Sequence, residues 1–357
     1  MSSTYLRKDG RWEARVSLGS VNGKRQSRSF YGATKAQAEA NMLSAFAVSS
    51  TSPITEMSVS ELCYEWLNIC ELRVKVSTLA NYRMKIEKHI IPHFGGIMCC
   101  EVTSKSAYEF MQRKLMSGLS VRYVTDIIVL LRSVFRYAYR EYGIPYPFDT
   151  VIMPKCSKTE VRLLTDSEQK KLKAYISKHN DRFAPGIMLA LAMGLRIGEI
   201  CGLTWQDIDF EKRTLTVNKT VQRVAVREGR SKTRIMIMPP KSESSVRVIP
   251  IPADILCVLG NMESAPESFI LSGTDKPVEP RKLQYHFART LKKAKLPSVH
   301  FHSLRHSFAC QALQAGFDLK TLSEILGHSR IELTMDLYIH SSLDKKRACM
   351  DLMTWSA

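Results

Sequence analysis

The chain has no cysteine pair in C-x-x-C spacing, which removes the commonest zinc and dithiol arrangements. Its nine cysteines are an odd number, and the adjacent Cys99-Cys100 is no metal site, so they read as reduced thiols of a cytoplasmic protein. Long hydrophobic runs are missing too. The longest, Ile187–Leu195, is too short to cross a bilayer and is followed by Arg196, so no membrane contact is expected. No signal peptide, internal repeat or low-complexity tract is visible. Nor is there, near the chemistry-bearing motifs, a carboxylate cluster of the kind that holds two catalytic metal ions, so no metal cofactor is expected.

What the chain has in excess is positive charge, +18 over 357 residues. The excess is spread along the whole length: 8 basic and 3 acidic residues in 1–50, 13 and 10 in 51–155, 31 and 21 in 156–357. A basic surface on every segment suits a polyanion that touches them all, and double-stranded DNA is the expected partner. The apolar content of 45% is ordinary for a globular protein. A single core stops growing at roughly 250 to 300 residues, so two or three domains are expected.

The chemistry-bearing residues gather between His302 and Tyr338. His302-Ser303-Leu304-Arg305-His306 puts a histidine and an arginine three apart, on one face of a helix, where both can reach one anion. Leu319, Leu322 and Leu326 form a helical apolar stripe that Gly327 is placed to end. His328 follows on the turn, and Tyr338 comes ten residues later. Two imidazoles, a guanidinium and a phenol can thus converge on a phosphodiester. Read singly, each is an ordinary structural residue, and Ala315–Gly327 could be the turn and second helix of a helix-turn-helix. That motif gives no reason for Tyr338, nor for Arg196 and Lys241 upstream.

The order and spacing resemble the catalytic half of the tyrosine recombinases, the phage-integrase family. Ala192-Met193-Gly194-Leu195-Arg196-Ile197-Gly198-Glu199-Ile200 resembles the family's first arginine box. Pro240-Lys241-Ser242-Glu243-Ser244-Ser245-Val246-Arg247-Val248-Ile249-Pro250 resembles its lysine-bearing β-hairpin segment. The resemblance implies six catalytic residues: Arg196, Lys241, His302, Arg305, His328 and Tyr338. Tyr338 would attack the phosphodiester to give a 3′-phosphotyrosyl enzyme and a 5′-hydroxyl, with His302 taking its proton. Arg196 and Arg305 would clamp the non-bridging oxygens, with a further hydrogen bond from His328. Lys241 would protonate the leaving oxygen, although Lys232 and Arg247 share its β-region and leave the assignment of the general acid open. Two arginines supply the charge and one phosphodiester is exchanged for another, so neither metal nor ATP is implied. Glu199, one turn from Arg196, reads as its structural partner.

The expected fold class is multidomain α+β. Residues 1–48 read as a small three-stranded sheet plus a helix, with hairpin turns at Asp9-Gly10 and Asn22-Gly23 and a capping box at Thr34/Gln37. The middle strand alternates Trp12, Ala14, Val16 and Leu18 on one face and shows Arg11, Glu13 and Arg15 on the other, a solvated basic face. This segment resembles an arm-type DNA-binding domain, with Arg11, Arg15, Lys24, Arg25 and Arg28 as candidate contacts. After the Ser49–Pro53 linker, residues 57–152 read as a helical-bundle core-binding (SAM-like) domain. Ser58/Glu61 starts its first helix, Ser77 caps its second, which ends near His89–Pro92 before Gly95-Gly96, and the fourth runs from Val121 to Tyr142 and stops at Gly143. Lys75, Arg83, Lys85 and Arg122 are its candidate phosphate contacts. Residues 160–342 form the mixed, mainly α catalytic domain with a β-hairpin region, and 343–357 a short tail.

The implied function is site-specific DNA recombination on core and arm sites by a homo-tetramer, integrating or excising a prophage or mobile element. Assistance by DNA-bending and excisionase proteins and a place at the bacterial nucleoid go with that reading. A type IB-like topoisomerase shares the chemistry but has no use for an arm-type N-terminus. A non-catalytic DNA-binding regulator has no use for a filled set of catalytic positions.

Overall fold

The computed structural model describes residues 2–7, 9–21, 24–48, 57–156, 162–179, 181–226, 233–240, 245–327, 347 and 351, with backbone only for 2–3, 17–21, 24–26 and 43–48. The chain divides into two compact units, Met1–Ser157 and Lys158–Ala357.

In the first unit, β1 (Ser2–Leu6), β2 (Trp12–Val21) and β3 (Lys24–Gly32) pair antiparallel in that order, followed by α1 (Lys35–Val48). Gln37 N–H donates to Thr34 Oγ1 at 3.2 Å, so Thr34 caps α1 as expected, while the return bond of the box comes from Ala33 N–H, one residue further back, to the Gln37 side chain. The β2 face expected to display Arg11, Glu13 and Arg15 is not uniformly solvated. Glu13 is only 2% exposed and accepts from Ser29 Oγ at 2.6 Å and Arg7 Nη1 at 3.0 Å. A carboxylate can be buried there because donors from neighbouring strands replace its water.

The helical part of this unit comprises α2 (Val59–Glu71), α3 (Val76–Lys85), α4 (Ile91–Phe94), α5 (Ser104–Met116) and α6 (Val121–Tyr142). The Ser58/Glu61 capping box is present, with Glu61 N–H donating to Ser58 Oγ at 3.2 Å. Ser77 does not cap the second helix. α3 opens at Val76, with Lys75 at the cap position and Thr78 and Leu79 N–H both donating to its carbonyl. The helix also runs past His89–Pro92: a π turn at Ile86–Ile90 joins α3 to α4. Pro92 has no N–H and would crowd the carbonyl four residues back, and the wider turn before it relieves both problems without ending the helix. Leu62, Leu67, Ile86, Ile90, Phe94, Phe110, Ile127 and Leu131 are fully buried in the core these helices share. Burial pushes the Cys63 and Cys99 thiols up to about 12, so both are inert packing residues.

The second unit opens with α7 (Asp166–Lys178), capped by Thr165 and Glu168, and α8 (Ala184–Met193). The longest apolar run is this central helix, buried on nearly every side. Short α9 (Ile197–Gly202) leads to β4 (Ile208–Asp209) and β5 (Thr214–Val217). Next come the hairpin β6 (Thr220–Ala225) and β7 (Thr233–Met238), and β8 (Arg247–Pro250). β4, β5 and β8 form an antiparallel sheet with Leu215 opposite Ile249, both facing the core. The remaining frame is α10 (Ala253–Gly260), α11 (Pro280–Lys293), α12 (His302–Gln314) and α13 (Leu319–Leu326). Asp318 caps α13 by accepting from Lys320 and Thr321 N–H, both at 2.9 Å. The hairpin tip 227–232 and most of the tail 343–357 lie outside the described residues.

Candidate active site

Three elements of the second unit meet where α8 ends, α12 begins and α13 stops. Gly194 closes α8 in the left-handed conformation, φ 65°. A Cβ at this position would sit 2.4 Å from Phe308 Cδ1 and 2.8 Å from Leu326 Cδ2, so only glycine both makes the turn and admits the neighbouring helices. Two residues on, Arg196 occupies the N-cap position of α9. Its Nη1 donates to Glu199 Oε1 at 2.8 Å and its backbone N–H to Oε2 at 2.9 Å. Glu199 is therefore the structural partner its spacing suggests.

The C-terminus of α13 is bound by three guanidinium groups at three consecutive carbonyls. Arg247 Nε donates to Ile325 O at 2.6 Å, Arg305 Nη2 to Leu326 O at 2.6 Å and Arg196 Nη2 to Gly327 O at 3.1 Å. A helix end leaves these carbonyls without intrahelical partners and carries partial negative charge, so cations suit it on both counts. Arg305 is 3% exposed, and its Nη1 also donates to Gly194 O at 2.8 Å. Its fork is thus held in plane by the two turns that flank the site.

His302, the first residue of α12, is partly exposed on a groove of about 500 Å3 shared with Arg196, Thr220–Arg223 of β6, Glu279 at the N-cap of α11, and Arg281 and Gln284 of α11. Its ring meets His306 edge-on, centroids 4.8 Å apart. The protein packed around it lowers its pKa to about 4, helped by His306, Arg305 and Arg196, with Glu199 acting weakly in the opposite sense. His302 is consequently neutral near pH 7. Because its folded pKa lies below the ordinary value of 6.5, the unfolded chain binds more protons at mildly acid pH. The associated stability is complete above about 6.5 and drains away as pH falls towards about 4. An NMR titration of the His302 ring should give a midpoint near the lower figure; a midpoint near the ordinary histidine value would contradict this environment.

Arg196, His302 and Arg305 are thus brought together. Lys241, His328 and Tyr338 lie outside the described residues, as does Lys232. Arg247, the other alternative to Lys241, is buried. It donates to both Glu199 oxygens at 3.2 and 2.9 Å and to Ser245 O at 3.0 Å, and a guanidinium does not give up its proton. Sequence reasoning missed this role, although the signal was available. Alternation along β8 puts Arg247 on the same inward face as Ile249, and a buried arginine demands a carboxylate. Burial raises the pKa of Glu199, but hydrogen bonds and charge from Arg247, then Arg196, more than offset this and hold it below the ordinary carboxylate value.

The expected DNA contacts fall into different environments. Arg11 is exposed and paired with Asp9 at 2.9 Å, Arg15 reaches Ser29 Oγ at 3.4 Å, and Arg28 lies over the Phe30 ring. Lys24 and Arg25 lie on β3, with their side chains outside the described set. Lys75 and Arg122 are exposed and Arg83 is half-buried. Lys85 differs from these: it is buried, with its ammonium 3.5 Å from Asp126 and over the Tyr123 ring, so contact with a phosphate requires giving up that pairing.

The model of the phage integrase family matches residues 158–345, more than half of the chain. The chain belongs to that family. A second model, the N-terminal SAM-like domain of phage integrases, matches residues 58–115. Among similar integrases and recombinases, the XerC-like tyrosine recombinase of Caldanaerobacter subterraneus is 27% identical over 350 residues, covering 89% of each chain. The ICEBs1 integrase of Bacillus subtilis is 25% identical over 366 residues and 96% of each chain. In structure, the Tn1549 transposon integrase, solved in complex with circular intermediate DNA, superposes with a TM-score of 0.69 at 25% identity over 84% of this chain and all of that one. This integrase is accordingly a tyrosine recombinase, an enzyme that cuts and rejoins DNA in site-specific recombination. Among the described residues, no helix is long and apolar enough to cross a membrane.

Proposed function

We propose that this integrase inserts and excises a mobile element or prophage by transesterification through Tyr338, with Arg196, Lys241, His302, Arg305 and His328 completing the site. The observation that carries this reading is the meeting of Arg196 and Arg305 at the end of α13, immediately before His328, with His302 on the groove that Arg196 lines. A phosphodiester at this point would meet guanidinium donors for its non-bridging oxygens and an imidazole able to accept the tyrosine proton. Lys241 would return a proton to the departing 5′-oxygen. Two duplexes exchange four strands, and each protomer carries one such tyrosine, so a homo-tetramer is the assembly that completes a round. DNA-bending and excisionase proteins fit the same reading, as does action at the bacterial nucleoid.

A nicked suicide substrate lets the cut end diffuse away and so traps the covalent intermediate. Incubated with it in excess chelator, the protein should form an adduct, and Tyr338→Phe should form none while still binding the DNA. An adduct that survives Tyr338→Phe means the nucleophile is another residue.

The domain reading adds a second DNA contact: residues 1–48 for arm sites through Arg11, Arg15, Lys24, Arg25 and Arg28, and residues 57–152 for the core site through Lys75, Arg83, Arg122 and, if it leaves Asp126, Lys85. A chain beginning at Thr55 should cleave core DNA yet lose the second footprint. Identical footprints for the full and shortened chains would remove the arm-binding role.

A further inference from the structure

Arg247 joins three segments that the catalytic reading needs together. Its side chain is 6% exposed and the partner Glu199 side chain 3%. Through Glu199 it meets Arg196, because one carboxylate serves both guanidinium groups: Oε1 accepts from Arg196 Nη1 at 2.8 Å and from Arg247 Nη1 at 3.2 Å. Through Nε it holds the Ile325 carbonyl, two residues before Gly327. Through Nη1 it holds Ser245 O, at the end of the segment that carries Lys241. The contact with Gly327 is close enough to restrict what can stand there. A Cβ on that glycine, φ 63°, would lie 3.0 Å from Arg247 Nη1 and 3.1 Å from Cδ.

We propose that Arg247 is a positioning residue for DNA cleavage. By gripping Glu199 and the Ile325 carbonyl, it sets the direction of the Arg196 guanidinium. By the same grip it ties the strand after Lys241 to the helix end before His328. It touches no substrate atom, and its fork geometry rather than its charge is what the site uses. A lysine would keep the positive charge but present a point donor, unable to satisfy both Glu199 oxygens and the Ile325 carbonyl together. Glu199 would then turn towards Arg196 alone and draw its guanidinium out of line. A misplacement of roughly 1 Å is enough to cost on the order of a hundredfold in rate.

The proposal rests on Arg196 neutralising charge on the phosphate, and the test separates the two ideas. A methylphosphonate at the cut site removes one anionic oxygen, so it relieves an enzyme that cannot neutralise that charge. The readout is the ratio of cleavage rates on methylphosphonate and phosphate suicide substrates. That ratio does not depend on what fraction of a variant is folded. Arg196→Ala should shift it towards methylphosphonate by roughly a hundredfold, the order expected for a lost donor to developing charge. Arg247→Lys should shift it in the same direction by at least about tenfold, because a misaimed donor loses part of that effect. Glu199→Gln should shift it likewise. If Arg247→Lys and Glu199→Gln lower both rates equally and leave the ratio unchanged, Arg247 is scaffold only and the proposal is overturned. If Arg196→Ala itself leaves the ratio unchanged, the role given to Arg196 fails instead, and the positioning of it by Arg247 fails too.

Discussion

Arg196→Ala is expected to slow cleavage of a core-site suicide substrate by about 10²–10³, the loss typical of one preorganised donor to a developing oxyanion. Binding to the same DNA should change little, because many phosphate contacts hold the duplex and only a few meet the scissile one. The expected size follows from how Arg196 is held. Glu199 grips its Nη1 and its backbone N–H, and the Gly327 carbonyl takes Nη2, so the guanidinium is aimed before substrate arrives. Arg196→Lys should recover only part of the loss, since an ammonium cannot make the fork. Single-turnover adduct formation beside a filter-binding isotherm measures both quantities. A variant whose binding and cleavage fall together would show that Arg196 holds DNA and does not act on the transition state.

The second large effect concerns the leaving group. Lys241→Ala should lower cleavage by about 10²–10⁴, the span of general-acid contributions. It should regain most of the rate on a substrate with a 5′-bridging phosphorothiolate, because sulfur leaves without needing a proton. The alternatives in the same β-region are now fewer. Arg247 is buried against Glu199 and the Ile325 carbonyl and has no proton to give, which leaves Lys241 and Lys232. Rescue of Lys232→Ala in place of Lys241→Ala would move the general acid to the hairpin tip.

How far the sequence could be read differs from element to element. α6 was legible to the residue, because Ser120 and Gly143 bracket a strongly amphipathic stretch and nothing distant competes with them. The α3–α4 helix was not. Pro92 is a valid local stop, yet a π turn at Ile86–Ile90 carries the helix two residues further, to Phe94 before Gly95, and keeps Ile90 and Phe94 fully buried. Glu13 has a similar explanation: strand alternation assigned it to the solvent side, and donors from Arg7 and Ser29 made burial tolerable.

From the sequence alone came the resemblance to the family, carried by its motifs, and the candidate residue types with their order along the chain, because residue identity and spacing are all that such motifs need. What only the tertiary structure decided is how those residues are held. Arg196, Arg247 and Arg305 stand far apart in the chain, and nothing local says that they cap three successive carbonyls of α13. Their convergence depends on where α8, β8 and α12 pack. The low pKa of His302 likewise comes from the protein packed around it and from the charges that packing brings near. Spacing along the chain can nominate a site, but the direction and protonation of its groups are set by neighbours that only folding supplies.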